Sequence, residues 1–376
     1  MELIVFAGVL IAVFVVEVIY YRLHALDNLN LKVDFSKNVA GFGEDVELVE
    51  VAENRKRLPL PFIILKFECP REIKFYDMEN TSTSDHLYRE DMLTMKAYSK
   101  HTRRIKAQCT KRGYYIFPRV GITTSDLFLT ERFTRDFEND SYLVVLPELI
   151  DTNLMRTLTS VTLSDLQCRR TLLTDPFTLA GIREYDPNDP MKLINWKASA
   201  KTGNLMVNQN ASTCTQKVHV FMNLDFYNQK HSTSLLEASI SLAYSYLYEL
   251  ADLGIPASIY TNGRDVITDS PAISETDLGS ETLEERAIML ARIDLKKTVV
   301  PFEEILEKYI SSTDRDDFIL VISPQFNGNF RSLISEVKTR RPSVHWLMPS
   351  YKTTPDANPE PDISSSYIRW EVLGHD

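Results

Sequence analysis

The chain opens with one apolar block. Leu3–Tyr21 contains a single charged residue, Glu17. As a helix this block would extend for about 29 Å, close to the thickness of the hydrocarbon core of a bilayer. The pattern therefore predicts a transmembrane helix within residues 1–24. A cleaved signal peptide is the alternative, but no basic segment precedes the block and no A-x-A site follows it, so we favour a retained helix.

Residues 30–150 change to short alternating runs of apolar and polar positions. Pro and Gly separate these runs, and no helical period of 3.6 residues is present, which is typical of a small β-sandwich. The predicted strand runs cover residues 46–51, 62–67, 93–109, 111–118, 120–129 and 141–147.

The last part of the chain, residues 216–376, alternates apolar strands with amphipathic helices. Such alternation is typical of a parallel, doubly wound α/β sheet. The predicted strands are Val218–Leu224, Ile255–Tyr260, Phe318–Ile322, Val344–Met348 and an edge strand at Tyr367–Leu373. The predicted helices cover residues 236–250, Leu283–Ile293, Phe302–Ile310 and Phe330–Lys338. A capping box at Ser234–Glu237 is expected to start the first helix, and Thr261–Gly263 to close the second strand.

Residues 151–215 connect these two regions. Residues 152–173 are polar and predict a crossing loop with some short helix. After them, the segment 181–208 concentrates charges beside large aromatic residues, and we call it the 181–208 motif. Its turn chemistry lies at Asp186–Pro190 and at Lys201–Asn204, whereas Leu193–Trp196 predicts a buried helical turn and Leu205–Val207 the start of a strand.

The spacing of residues in the 181–208 motif resembles the core of a known bacterial family, the domain-of-unknown-function-58 family. The matching residues are Gly181, Arg183, Glu184, Tyr185, Asp189, Ile194, Trp196, Lys197, Ala198, Ser199, Ala200, Lys201, Gly203, Leu205 and Val207. Asn188 stands where a glycine is usual, and Asn also tolerates the left-handed conformation. The resemblance implies a von Willebrand factor A-like (Rossmann-like) domain at 216–376 and a MoxR-type AAA ATPase as partner.

Charge and cysteine content narrow the functional classes. The formal net charge is −10, which disfavours nucleic acid as the main partner. The four cysteines show neither zinc spacing nor a disulfide framework, so we expect reduced thiols and a cytoplasmic body. Arg22, Lys32 and Lys37 follow the apolar block and no Lys or Arg precedes it, which predicts the same orientation.

Two runs of like charge are present. Residues 92–119 contain eight Lys or Arg and no Asp or Glu. This run suits contact with anionic lipid headgroups or the outward side chains of strands, and we favour the strands. Residues 271–318 contain 12 Asp or Glu against 6 Lys or Arg, which indicates either an acidic face for a basic partner or an ordinary solvated surface.

Catalytic chemistry has one candidate location, the 181–208 motif. Ser199 lies two residues from both Lys197 and Lys201, but that spacing on a helix points the side chains apart. We therefore favour a structural network around Trp196 in which charged residues pair with Lys197 and Lys201, namely Arg183, Glu184, Asp186 and Asp189. A hydrolase that uses Glu184, Asp189, Lys197 and Ser199 is the alternative.

A metal site is a further alternative, and Asp225 is its candidate. Asp225 follows a predicted parallel strand, where a von Willebrand factor A domain often binds a divalent cation through a D-x-S-x-S pattern. Tyr227 and Gln229 occupy the two hydroxyl positions, so the pattern is incomplete. No cofactor and no complete catalytic motif are predicted.

Taken together, the sequence predicts a single-pass protein of the cell membrane with a cytoplasmic β-sandwich and α/β domain. We expect it to bind protein, as an adaptor of a MoxR-type AAA ATPase in the assembly or remodelling of other proteins. A hydrolase and a divalent-metal-dependent adhesion domain are the alternatives.

Overall fold

A computed structural model describes residues 2–77, 81–83, 87–150, 155–161, 164, 174–187, 189–212, 217–225, 232–275, 283–315, 317–357 and 359–372. Within these ranges the chain is a mixed α+β protein that divides into two units. Unit 1 comprises Met1–Glu148 with Ala287–Arg292, and unit 2 comprises Leu149–Arg286 with Ile293–Asp376.

Unit 1 begins with the helix α1, Glu2–His24. Its segment Leu3–His24 has a mean hydropathy of 2.8 and is long and apolar enough to cross a membrane. The most apolar 18-residue window of that segment is not buried inside the protein. A signal sequence has the same length and composition, so the helix alone is compatible with both interpretations.

Two antiparallel sheets form the rest of unit 1. Their strands are β1 Leu29–Phe35, β2 Val39–Ala40, β3 Asp45–Asn54, β4 Leu60–Cys69, β5 Ile73–Phe75, β6 Thr81–Thr83, β7 Leu87–Met95, β8 Lys100–Cys109, β9 Gly113–Ser125 and β10 Arg132–Val145. One sheet has the order β1-β3-β8-β5 and the other β2-β10-β9-β4-β7-β6; the β2–β10 pair is parallel. Alternate residues of both sheets, such as Leu48 and Ile105 from one and Ile63 and Ile122 from the other, share one hydrophobic core. The two sheets therefore form a sandwich.

The elements of unit 2 fall into a hairpin and a parallel sheet with its helices. The hairpin strands are β11 Thr174–Glu184 and β12 Met206–Ser212, and the helix α2, Trp196–Thr202, lies between them in the chain. The sheet strands are β13 Val218–Met222, β14 Ala257–Asp265, β15 Pro271–Ser274, β16 Ile293–Asp294, β17 Phe318–Ile322, β18 Val344–Ser350 and β19 Tyr367–Glu371. Further helices are α3 Ser232–Asp252, α4 Leu283–Ala291, α5 Phe302–Ile310 and α6 Gly328–Arg340; the residues of α4 from Ala287 onward are grouped with unit 1.

The large sheet of unit 2 has the order β15-β14-β13-β17-β18-β19, and β16 pairs with β14. The pairs from β14 to β19 along this order are parallel, whereas β15 and β16 pair antiparallel with β14. If β16 is left out and the other six strands are numbered 1 to 6 in chain order from β13, their order across the sheet is 3-2-1-4-5-6. That order is the one common in doubly wound sheets.

Helices cover both faces of this sheet. Phe302 and Ile305 of α5 and Ile334 of α6 belong to one core cluster with alternate strand residues such as Ile319 and Trp346. The strand residues that lie between these positions point to the opposite face of the sheet and are also buried. The helix α3 contacts β13, β14 and β18 and covers that opposite face. The predicted doubly wound arrangement is therefore present.

Several predicted boundaries are wrong. The single predicted run 93–109 is two strands, β7 and β8, because Lys96–Ser99 forms a turn with Tyr98 at a φ of 49°. Thr261–Gly263 does not close a strand, since β14 continues through it to Asp265. The capping box at Ser234 is also misplaced, because α3 begins at Ser232.

Candidate functional site

The 181–208 motif folds as a small, internally bonded piece of unit 2. Ile182, Arg183 and Glu184 of β11 pair antiparallel with Asn208, Val207 and Met206 of β12. Between the strands, Met191–Leu193 forms a 3-10 turn and α2 follows.

Polar side chains fix α2 in place. Asn195 caps its start, because its Oδ1 accepts a hydrogen bond from the backbone N–H of Ala198 at 3.0 Å. Gly203 ends it in the left-handed conformation with a φ of 78°, which suits glycine and confirms the predicted turn at Lys201–Asn204. The backbone N–H of Asn195 also donates to the carbonyl of Met206 at 2.8 Å. The helix is thus tied to β12 from its first turn.

Arg183 and Asp189 form the ion pair of this motif. The Nη1 and Nη2 atoms of Arg183 donate to the two carboxylate oxygens of Asp189 at 2.7 and 2.6 Å. Asp189 Oδ2 also accepts a hydrogen bond from the backbone N–H of Asp186 at 2.9 Å. The hydrogen bonds from Arg183 hold the pKa of Asp189 below its usual value. A bidentate pair of this kind fixes orientation and closes the predicted turn; Asn188 lies outside the described residues.

The predicted network around Trp196 is wrong in its lysines. Among the residues that the structure describes, neither Lys197 nor Lys201 pairs with an acidic side chain, and both are exposed. Glu184 instead accepts a hydrogen bond from Asn204 Nδ2 at 3.3 Å. The motif is stabilised by amide and backbone contacts as much as by charge.

Ser199 is engaged with the backbone. Its hydroxyl donates to the carbonyl of Asn195 at 2.9 Å and accepts from the backbone N–H of Met206 at 2.8 Å. The two lysines of the predicted Ser–Lys dyad are not among its hydrogen-bond partners. In this arrangement Ser199 holds α2 against β12, and the hydrogen-bond partners of its hydroxyl among the described residues are backbone groups.

Large apolar side chains of the motif face solvent. Trp196 is 67% exposed and Met191 is 73% exposed. Ile182 and Leu205 are 43% and 46% exposed, and Tyr185 is half-buried. The predicted buried turn is correct for Ile194, which is 7% exposed, and wrong for Trp196. Because tryptophan is highly buried on average, an exposed tryptophan on a well-bonded motif marks a candidate contact surface.

A second polar cluster lies where β13 and its neighbours end, and sequence reasoning missed most of it. The buried side chain of Asn223 donates from Nδ2 to Ser323 Oγ at 3.1 Å and to Gln325 Oε1 at 2.9 Å. Asn262 Nδ2 donates to Asn223 Oδ1 at 3.1 Å, and Asn262 Oδ1 accepts from the N–H of Leu224 at 2.8 Å. Asn223 directly follows β13, and Asn262 lies in β14 just beyond its parallel pairing with β13, so both amides are at the edge where such sheets hold their sites.

Asp225 lies beside this cluster, at the place expected of the metal candidate. Its backbone N–H donates to Asn223 Oδ1 at 2.8 Å, and its side chain is partly buried. Burial raises the pKa of Asp225, and the nearby charge of Glu303 adds to that effect. Within the described ranges, no group of three His, Cys, Asp or Glu side chains is placed to hold a metal ion. Tyr227 and Gln229 lie outside those ranges.

The cysteine prediction concerns four residues, of which the structure describes two. Cys69 and Cys109 are both free and buried in unit 1. Burial raises the pKa of the Cys69 thiol to about 12 and that of Cys109 to about 11, so neither is a ready nucleophile. Cys168 and Cys214 lie outside the described residues.

Comparison with known proteins adds a coarse likeness. No family model matches the chain. No curated protein matches it either. The CARDB domain of a Pyrococcus furiosus protein is 15% identical and covers 30% of this chain and 96% of its own, with a TM-score of 0.18. A type I cohesin–dockerin complex from Clostridium thermocellum is 10% identical and covers 32% of this chain and 100% of its own, with a TM-score of 0.22.

A non-cellulosomal cohesin from the archaeon Archaeoglobus fulgidus is similar at the same level. It is 10% identical, covers 35% of this chain and 97% of its own, and has a TM-score of 0.20. TM-scores this low carry no argument about what the present chain binds.

Proposed function

We propose that this protein is a membrane-anchored protein-interaction module that serves as an adaptor of a MoxR-type AAA ATPase. In this proposal, α1 spans the cell membrane and the two units are cytoplasmic. The α/β unit is then von Willebrand factor A-like, and the partner contacts the 181–208 motif. The observation that carries the proposal is the exposure of Trp196, which is 67%.

The surroundings of Trp196 are those of a preorganised contact. The helix that it begins is capped by Asn195, ended by Gly203 and bonded to β12 through Ser199. A tryptophan on such a framework loses little conformational entropy when it binds, which improves affinity. Tryptophan, methionine and arginine are the residue types enriched at protein interfaces.

Charge around Trp196 indicates what kind of surface fits it. Lys192, Lys197 and Lys201 are exposed on the same short stretch of chain. A partner surface with carboxylates around an apolar pocket would complement both features. Under the proposal, that surface belongs to the ATPase.

The fold of unit 2 supports the von Willebrand factor A-like assignment in a general way. Its strand order and the helices on both faces are those of a doubly wound domain, and its polar cluster lies at the carboxyl ends of the strands. Protein binding is favoured over catalysis because Ser199 is bonded to the backbone and the lysines extend into solvent.

The test is co-purification of the full chain in detergent from its own cell lysate, with and without ATP. Mass spectrometry identifies the retained proteins. The wild type should retain an AAA ATPase in a nucleotide-dependent way. Trp196→Ala should reduce that retention by about 30-fold or more, since interface tryptophans often contribute at least ~2 kcal/mol.

The matched control is Tyr98→Ala, because Tyr98 in unit 1 is also 67% exposed. It should retain the ATPase as the wild type does, and both variants should melt at the wild-type temperature. Retention of no AAA ATPase refutes the partner assignment. Equal retention by wild type and Trp196→Ala refutes the assignment of the contact to the 181–208 motif.

A further inference from the structure

The loop that joins β9 to β10, residues 126–131, carries an unusual apolar tip. Leu127, Phe128 and Leu129 are consecutive and are 50%, 58% and 62% exposed. Leu129 has a φ of 59°, in the left-handed region that a branched apolar residue seldom adopts. Contiguous exposed apolar residues mark a surface that contacts protein or membrane. We call residues 126–131 the β9–β10 loop.

The β9–β10 loop lies directly against α1. The rings of Phe14 and Phe128 have centroids 5.3 Å apart. The backbone N–H of Leu127 donates to Glu17 Oε1 at 2.9 Å. Glu17, the one charge in the apolar block, therefore serves as an acceptor for this loop.

The position of α1 relative to the loop is fixed at the end of the helix. Tyr21 is 1% exposed, and its hydroxyl donates to the carbonyl of Pro59 at 2.8 Å. Lys56 Nζ donates to the carbonyls of Ala25 and Asp27 at 2.6 and 2.7 Å, where the helix dipole favours a cation. The loop and helix thus form one structural group within unit 1.

The helix geometry gives the depth of the contact. At a rise of ~1.5 Å per residue, Glu17 lies about 10 Å from the end of α1 at His24. The candidate span Leu3–His24 would extend for about 33 Å, slightly more than the ~30 Å hydrocarbon core. The level at which the loop meets α1 therefore falls inside the apolar layer when α1 spans the membrane.

The backbone of the loop is prepared for such surroundings. Unsatisfied N–H groups are strongly disfavoured in hydrocarbon. Asp126 is fully buried, and its Oδ1 accepts from the N–H groups of Thr130 and Glu131 at 2.8 Å each. Its carbonyl accepts from the N–H of Leu129 at 3.1 Å. With the bond from Leu127 to Glu17, the N–H groups of Leu127, Leu129, Thr130 and Glu131 therefore all have acceptors, while three apolar side chains of the loop are exposed.

From these contacts we propose that the β9–β10 loop inserts its apolar tip into the lipid bilayer that holds α1, as a second membrane contact of unit 1. The inference rests on the proposed membrane anchoring of α1. Lipid is the occupant because the tip continues the exposed apolar surface of the helix. Tyr20 is 51% exposed and Arg22 follows it near the same end, as is typical of a membrane interface.

The experiment places a fluorescent reporter on the tip of the full-length chain. Phe128→Trp is reconstituted into phosphatidylcholine–phosphatidylglycerol vesicles, with and without dibrominated phosphatidylcholine, whose bromines quench tryptophan in the acyl region. The control is Phe42→Trp, because Phe42 is 41% exposed next to the start of β3. The other end of β3 pairs with Leu29, just after α1, so Phe42 lies at the far end of the sheet.

The bromolipid should remove most of the added emission in Phe128→Trp and little of it in Phe42→Trp. Leu127→Trp is a second reporter and should behave like Phe128→Trp. Flotation of the vesicles separates the two proposals. A chain that does not float with the vesicles overturns both the anchor and the loop insertion. A chain that floats, with Phe128→Trp and Leu127→Trp quenched no more than Phe42→Trp, overturns the loop insertion and leaves the anchor standing.

Discussion

Glu50 gives the sharpest test of the energetics of unit 1. It lies on β3, is only 2% exposed, and is close to an ionic cluster in which Arg89 and Asp91 are buried and Arg103 and Asp77 are partly exposed. In that cluster Asp91 accepts hydrogen bonds from Arg89 Nε at 2.6 Å and Arg103 Nη1 at 2.6 Å. Arg103 also donates to Asp77 at 3.1 Å. The two guanidinium groups and the two aspartates already balance, so an ionised Glu50 would add an uncompensated buried charge.

Burial, with the neighbouring carboxylate of Asp91, raises the pKa of Glu50 from 4.5 to about 8. The folded state therefore keeps a proton that the unfolded state releases between these two pH values. The free energy of unfolding should fall by about 1.4 kcal/mol per pH unit in this window. This contribution is fully present below pH 4.5 and is lost as the pH rises to about 8.

The substitution Glu50→Gln keeps the shape of the protonated side chain and removes the titration. Relative to wild type, the variant should be equally stable near pH 4.5 and about 3 kcal/mol more stable at pH 7. For a unit of this size, that corresponds to roughly 6–12 °C in melting temperature. Calorimetry of the full chain in detergent across this pH range measures the difference.

The matched control is Glu47→Gln, on the same strand. The Glu47 side chain is 35% exposed and pairs with Arg104 at 3.2 Å. This control should keep the wild-type pH dependence. If Glu50→Gln shows the same slope as wild type, the proposed protonation of Glu50 is refuted.

Three further predictions concern unit 2. Ile334→Ala should lower the free energy of unfolding by about 2–5 kcal/mol in a denaturant melt, because Ile334 of α6 is fully buried against the sheet. If the loss is no larger than that of an alanine substitution at an exposed position of α6, the packing described is contradicted. Asp189→Asn should speed hydrogen exchange at the amides of Tyr185 and Asp186 without changing the far-UV circular dichroism, since it weakens the bidentate pair with Arg183. Unchanged exchange would show that the pair does not hold the turn. Millimolar Mg²⁺ should shift the melting temperature of wild type and Asp225→Ala equally, and a larger shift in wild type would favour the metal-dependent adhesion alternative.

Local pattern was sufficient to predict most elements. A period of 2 identified the strands of the sandwich, and apolar strands alternating with amphipathic helices identified the parallel sheet. The helix α5 has the predicted bounds, Phe302–Ile310, and β17 has the predicted bounds, Phe318–Ile322. These elements are predictable because burial leaves a pattern in the sequence: an element buried on one face has periodically spaced apolar residues, and a strand buried on both faces is apolar throughout.

Side-chain environments were much less predictable. Trp196 was expected to be buried and is exposed, while Asn262 was assigned to a turn and is a buried member of the polar cluster. Residue type alone does not say which distant side chain will meet another. In both cases the outcome depends on contacts from segments far away in the sequence.

The chemistry of the 181–208 motif shows the same division. The charged residues of the motif and the turn at Gly203 could be predicted from the sequence. Two features arise only once β11 and β12 pair. Asp189 pairs with Arg183 rather than with the lysines, and the hydroxyl of Ser199 accepts a hydrogen bond from the backbone N–H of Met206.

The apolar block, the strand and helix periods and the charge pattern are properties of neighbouring residues, so the order of letters determines them. Other features depend on residues that are distant in the chain. Glu17 accepts a hydrogen bond from the backbone N–H of Leu127 instead of facing lipid, and Glu50 lies near the carboxylate of Asp91. Tertiary structure decides these points, because the free energy of a buried polar group depends on the partner that folding brings to it.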